Sequence, residues 1–138
     1  MIKANELRLG NKIQVNGLHG DLFMTVSAIT GKGTLNENKR VIFFEEDKEQ
    51  VGEFLEHCYS IPLTPDILEK CGFDIDLNNF NWNAFKEFEN NGFSQYVTLR
   101  FNEKRGWFFN HAASPVKHVH QLQNLYFALT GEELEINL

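Results

Sequence analysis

From Asn11 to Val41 the apolar residues come in short runs separated by glycine-containing turns: NKIQV, NGLHGD, LFMTVSAI, TGKGTLNENK and RVIFFE. Runs this short, bounded by Gly and Asn, predict strands rather than helices. They are expected to build a small antiparallel β-sheet or an SH3-like barrel. Asn16-Gly17 reads as a hairpin turn, because both central positions of a type I′ turn need positive φ and these two residue types tolerate it. Gly31-Lys32-Gly33 reads as another turn, since it lacks the spacing of a phosphate-binding loop.

The next pattern is ambiguous. Val51, Phe54, Leu55 and Cys58 fall at i, i+3, i+4 and i+7, as on one face of a helix, yet Gly52 opposes a helix by about 1 kcal/mol. Residues 47–58 stay open between helix and strand, with a short helix favoured. The stretch IPLTPDILEKCGF is better specified. Thr64 suits an N-cap, Pro65 the first helical position, Asp66 the positive end of the dipole, and Gly72 a left-handed stop.

Beyond an Asn-rich connection at residues 78–81, strand patterns return in WNAFKEFE, the turn NNG, FSQYVTLRF and, after NEKRG, WFFNH. Such a meander needs cover on its apolar face. Val119, Leu122, Leu125, Tyr126 and Leu129 supply it as a stripe at helical spacing, with Ser114 and Pro115 marking the start and Gly131 the stop. The predicted fold class is therefore α+β: the N-terminal sheet or barrel, a short helix, then a three-stranded antiparallel meander covered by a C-terminal helix. Residues 1–62 form a β-rich subdomain and 63–138 the helix, meander and C-terminal helix, together expected to pack as one compact unit.

Composition adds limits to this picture. A chain of 138 residues with 42% hydrophobic and 23% charged residues has the makings of a core without disulfides or metal. The longest unbroken apolar run is LYFAL, far below the ~18 residues of a membrane span. The start MIKANELRLG has no apolar leader, so a cytoplasmic protein is expected, with Cys58 and Cys71 reduced. The net charge is −6, and Glu45, Glu46, Asp47, Glu49, Glu53 and Glu56 are offset locally only by Lys48. The thirteen Lys and Arg form no cluster, so nucleic acid is not expected as a partner.

Candidate chemistry is sparse. His118 and His120 make an H-x-H, but residues two apart on a helix point about 200° away from each other and cannot share one ion. Cys58 beside His57, and Cys71 on an apolar helix face, do not read as activated nucleophiles. No catalytic residue, metal ligand or cofactor site is assigned. Opposite the apolar stripe, His120, Gln123, Asn124 and Phe127 lie within reach of one another and form a candidate interaction surface, polar groups around an aromatic anchor.

Three segments, IKANELRLGNKI, IPLTPDILEKCGF and VKHVHQLQNLYFALTGEEL, resemble short uncharacterised proteins of anaerobic gut bacteria and their phages and prophages. The resemblance spans most of the chain and implies a bacterial or phage origin in the cytoplasm. It brings no activity, cofactor or catalytic residue with it. The expected function is a non-enzymatic protein-interaction module with an unidentified protein partner. The alternatives are an acidic inhibitor that mimics nucleic-acid charge to block a host enzyme, and an enzyme of unrecognised type. Oligomeric state is not specified by the sequence.

Overall fold

The structure is a computed structural model that describes residues 2–17, 20–30, 39–77, 82–110 and 114–138. The Gly31–Gly33 turn, the Asn-rich connection at 78–81 and His111 lie outside the described residues. The fold is α+β, with two antiparallel sheets and a C-terminal helix. The chain divides into two units, Met1–Ile61 and Pro62–Leu138.

The first unit is a five-stranded sheet curled into a half-barrel, with strands β1 (Lys12–Gly17), β2 (Gly20–Ile29), β3 (Val41–Phe44), β4 (Glu53–Phe54) and β5 (Cys58–Tyr59). Their order is β4-β3-β2-β1-β5. Ile13, Val15, Val26, Ile42, Phe44, Leu55 and Cys58 are buried together, joined by Ile2 and Ala4 from the N-terminal segment. Each fully buried aliphatic side chain there contributes roughly 1.5–3 kcal/mol of transfer free energy. A register shift between Val26 and Ala28 marks a bulge, the device that bends a strand and deepens its twist.

Two expectations fail in this unit. Gly17 pairs with Gly20 and Asn16 with Asp21, so Asn16 and Gly17 belong to strand β1 and not to a turn. Residues 51–58 form no α-helix: β4 is followed by a 3-10 turn, Leu55–His57, and then β5. The cause is local. The Asp47 carboxylate accepts the amide protons of Glu49 (3.1 Å), Val51 (2.9 Å) and Gly52 (3.0 Å), offering the backbone a partner other than a helical carbonyl. Gly52 then sits at φ +73°, where an added Cβ would lie 2.7 Å from Val41 Cγ1 and 2.8 Å from the Ile42 carbonyl oxygen.

The second unit starts with α1 (Pro65–Lys70). Thr64 Oγ1 accepts from the Ile67 amide at 3.3 Å, and Pro65 takes the first turn, as the sequence predicts. The helix ends in a Schellman motif: the Phe73 amide donates to the Leu68 carbonyl and the Gly72 amide to the Glu69 carbonyl, with Gly72 at φ +80°. The sheet has four strands rather than three, in the order β6 (Asp74–Asp76), β7 (Asn83–Asn90), β8 (Phe93–Asn102) and β9 (Gly106–Phe109). Strand β6 was missed because three residues reading Asp-Ile-Asp carry almost no pattern. A two-residue turn, Asn91-Gly92, joins β7 to β8 with φ of +52° and +80°, the signature of type I′.

Ala84, Val97, Leu99 and Trp107 are buried on one face of this sheet, which α2 (Val119–Thr130) covers. Lys86 belongs to the same face, and its ammonium lies 6.0 Å from the centre of the Tyr126 ring. Helix α2 starts later than Ser114-Pro115 suggests, because the preceding backbone is committed to strand-like pairing. The Val116 amide donates to the Trp107 carbonyl, and the Leu63 amide to the Lys117 carbonyl. Gln121 Oε1 accepts from the Lys117 and His118 amides, and Gly131 ends the helix at φ +75°.

Candidate functional site

The buried stripe of α2 is Val119, His120, Leu122, Gln123 and Tyr126. It is rotated relative to the predicted one, leaving Leu125 half-buried and Leu129 exposed. This separates the residues read as an interaction surface. His120 and Gln123 are in the core, Asn124 is half-buried, and Phe127 alone is exposed. A partner meeting this helix touches Phe127 and part of Asn124, not a four-residue patch.

The histidine pair also differs from expectation. His118 lies before the first helical turn with extended backbone, φ −133° and ψ 154°, so helical divergence does not apply to it. Its ring stacks on that of His120, with centroids 5.7 Å apart and planes within 8°. Among the described residues, no group of three or more His, Cys, Asp or Glu side chains could hold a metal ion together.

Neither cysteine is set up as a nucleophile. Burial pushes the Cys58 thiol up to about 12, with the Glu53 carboxylate adding to the shift. Burial likewise raises Cys71 to about 11, against a small opposing effect of the Lys86 ammonium. Both are therefore neutral thiols at pH 7, and a thiolate is the reactive form. His57 is engaged with Glu53, its Nδ1 lying 2.7 Å from Oε1.

The acidic segment is largely absorbed by the fold. Burial alone would raise the Glu46 carboxyl, but the Thr25 hydroxyl and amide (2.5 and 2.8 Å) and Lys12 (3.1 Å) outweigh this and hold it below the usual range. The Gly52 amide, then those of Glu49 and Val51, hold Asp47 low. The Lys39 ammonium, 2.7 Å away, does the same for Glu56. These carboxylates tie loops to strands and do not form a free array.

A cavity of about 430 Å³ opens at the end of the second sheet, lined by Trp82, Asn83, Arg100, Phe101, Asn102 and Phe108. The Trp82 ring stacks on Phe101 at 4.9 Å, and Phe101 meets Trp107 at 5.1 Å. An arginine, two amides and aromatic rings can hold a ligand, and among the described lining residues there is no carboxylate, imidazole or thiol for proton transfer or attack.

On the outer face of the half-barrel, Phe23 pairs with Gln14 across β2–β1, and Gln14 with Tyr59 across β1–β5. Directly paired residues share a face, so the two rings flank Gln14 and stand about 10 Å apart, two inter-strand spacings. Phe23 is 45% and Tyr59 42% exposed. The next row on this face is Lys12 opposite Thr25, with Glu46 bonded to both. The result is a row with an aromatic residue on either side of an amide and a charged pair in the next row. Sequence reading missed it because Leu22-Phe23-Met24 is an unbroken apolar run that hides which residue faces out. Tyr59 sat just beyond an expected helix.

Comparison with known proteins finds no matching family model, no matching curated protein and no matching solved structure. Among the described residues, no helix is long and apolar enough to cross a membrane.

Proposed function

We propose that the protein is a non-enzymatic protein-interaction module of phage or prophage origin acting in a bacterial cytoplasm. The origin rests on the likeness of its three segments to such proteins. The observation that carries the interaction reading is the Phe23–Gln14–Tyr59 row, two half-exposed aromatic rings on a rigid strand surface with an amide between them. Aromatic rows of this kind receive extended or proline-rich peptide segments, whose preformed backbone loses little entropy on docking. The neutral, buried thiols and the engaged acids of the 45–56 segment speak against the two alternatives, since an enzyme needs an activated group and a nucleic-acid mimic needs its carboxylates arrayed outward.

The test is a peptide array probed with the labelled full chain and with the Phe23→Asp/Tyr59→Asp double variant. Binding of extended apolar or proline-containing peptides, lost in the double variant while its circular dichroism is retained, is the expected result. Binding unaffected by the double variant would remove this surface from the proposal.

A further inference from the structure

The β7–β8 hairpin extends past its neighbours. Strand β6 pairs only with residues 83–85 of β7, and β9 only with residues 99–102 of β8. Among the described residues the remainder is a two-stranded arm with no further strand paired on either side. In an antiparallel ladder a residue's N–H and C=O point to the same side, and that side alternates along the strand. The Phe101 amide donates to the Trp82 carbonyl in the lane of β7, so odd-numbered residues of β8 bond towards β7. Even-numbered ones face the other way: Arg100 and Asn102 towards β9, and Ser94, Tyr96 and Thr98 towards the open edge. The other open edge presents the backbone of Glu87 and Glu89.

These edges are guarded unequally. An unpaired edge is a template for another strand, and proteins blunt it with charge, brevity or cover. Strands β4 and β5 have two residues each, β6 carries Asp74 and Asp76, and β9 is covered by the Val116 bridge. The β7 side of the arm carries Glu87 and Glu89. Along β8 the segment Phe93-Ser94-Gln95-Tyr96-Val97-Thr98 has no charge, no proline and no bulge. Its Phe93 is 73% and its Tyr96 59% exposed.

We propose that this edge of β8 pairs antiparallel with the same edge of a second copy, joining two arms into a four-stranded ribbon about a two-fold axis at Gln95. In that register Ser94 and Tyr96 of each copy exchange backbone hydrogen bonds with Tyr96 and Ser94 of the other. Gln95 meets its own copy, amide to amide. A two-fold axis sets every residue near its own equivalent, so a segment free of charge is the kind that can pair with itself. The proposal is independent of the aromatic row on the half-barrel.

Sedimentation equilibrium of the full chain over a range of micromolar concentrations tests it, with two variants and a control. Gln95→Lys brings two ammonium groups together at the axis. Ser94→Pro removes an outward N–H while sparing the β7–β8 ladder. The expected result is a mass of twice 16.0 kDa for the unaltered chain. Each variant should raise the dissociation constant about tenfold or more, with circular dichroism unchanged, whereas Glu87→Gln leaves it as it is. A wild-type monomer throughout the range, including one that binds a foreign strand, overturns the proposal, as does a dimer that neither variant weakens.

Discussion

Leu122 and Leu129 lie seven residues apart on one helix, yet only Leu122 is fully enclosed, while Leu129 keeps 38% of its surface in water. Leu122→Ala leaves a cavity its neighbours fill only in part, and should cost about 2–5 kcal/mol. Leu129→Ala should cost under about 1 kcal/mol. Urea melts of the two variants check this, and equal losses would contradict the rotated stripe. Cys58 and Cys71 support a second prediction. Their folded values of about 12 and about 11 lie above the ordinary 9.0, so the native state holds these protons more tightly than the unfolded chain. The stabilisation is complete below pH 9 and is lost as pH rises through 11 to 12. Alkaline urea titrations should show stability falling over that window, with a shallower fall in Cys71→Ala. Slow native-state alkylation at pH 8 would accompany it.

At the scale of elements, two glycines with the same positive φ separate backbone strain from crowding. Gly92 turns the β7–β8 hairpin with open space where a Cβ would go, whereas a Cβ at Gly72 would meet the Lys86 ammonium nitrogen at 2.5 Å. That ammonium donates to the Cys71 carbonyl at 3.0 Å, closing the end of α1. Gly92→Ala should therefore cost about 1 kcal/mol, the conformational penalty alone. Gly72→Ala should cost more, and the excess should shrink in a Lys86→Ala background, which a double-mutant thermal-melt series would show. These turns also show what can be read from a single sequence. Thr64, Pro65, Gly72, Gly131 and the turn read at NNG, which falls on its Asn91 and Gly92, act through neighbours a few residues away, and each was legible in advance. Strand β6 pairs with β7, β4 with β3 and β5 with β1, partners farther off in the chain, where local pattern is silent. The surface residues suffered for the same reason. The spacing put His120 and Gln123 opposite the stripe, but what lies against each side of α2 is decided by tertiary packing.

Across the whole molecule, the net charge of −6 hides an uneven assignment of acids to structure. Glu46, Asp47 and Glu56, all held below their usual values, belong to the half-barrel unit, where they fasten β2, the 47–52 turn and the segment before β3. A carboxylate with a depressed folded value contributes stability above its ordinary value, 4.5 for Glu and 3.8 for Asp, and loses it as pH falls through the lower folded one. Both tryptophans, Trp82 and Trp107, lie in the other unit, so their emission reports on it, while Cys58 reports on the half-barrel. In a Cys71→Ala background, acid titration below pH 4.5 should expose Cys58 to a disulfide reagent active in acid before tryptophan emission shifts. Glu46→Gln, which keeps an acceptor for Thr25 but loses the charge facing Lys12, should lower neutral stability and flatten the acid limb. Coincident transitions, or an unchanged acid limb in Glu46→Gln, would show that these carboxylates do not carry the acid sensitivity of the half-barrel.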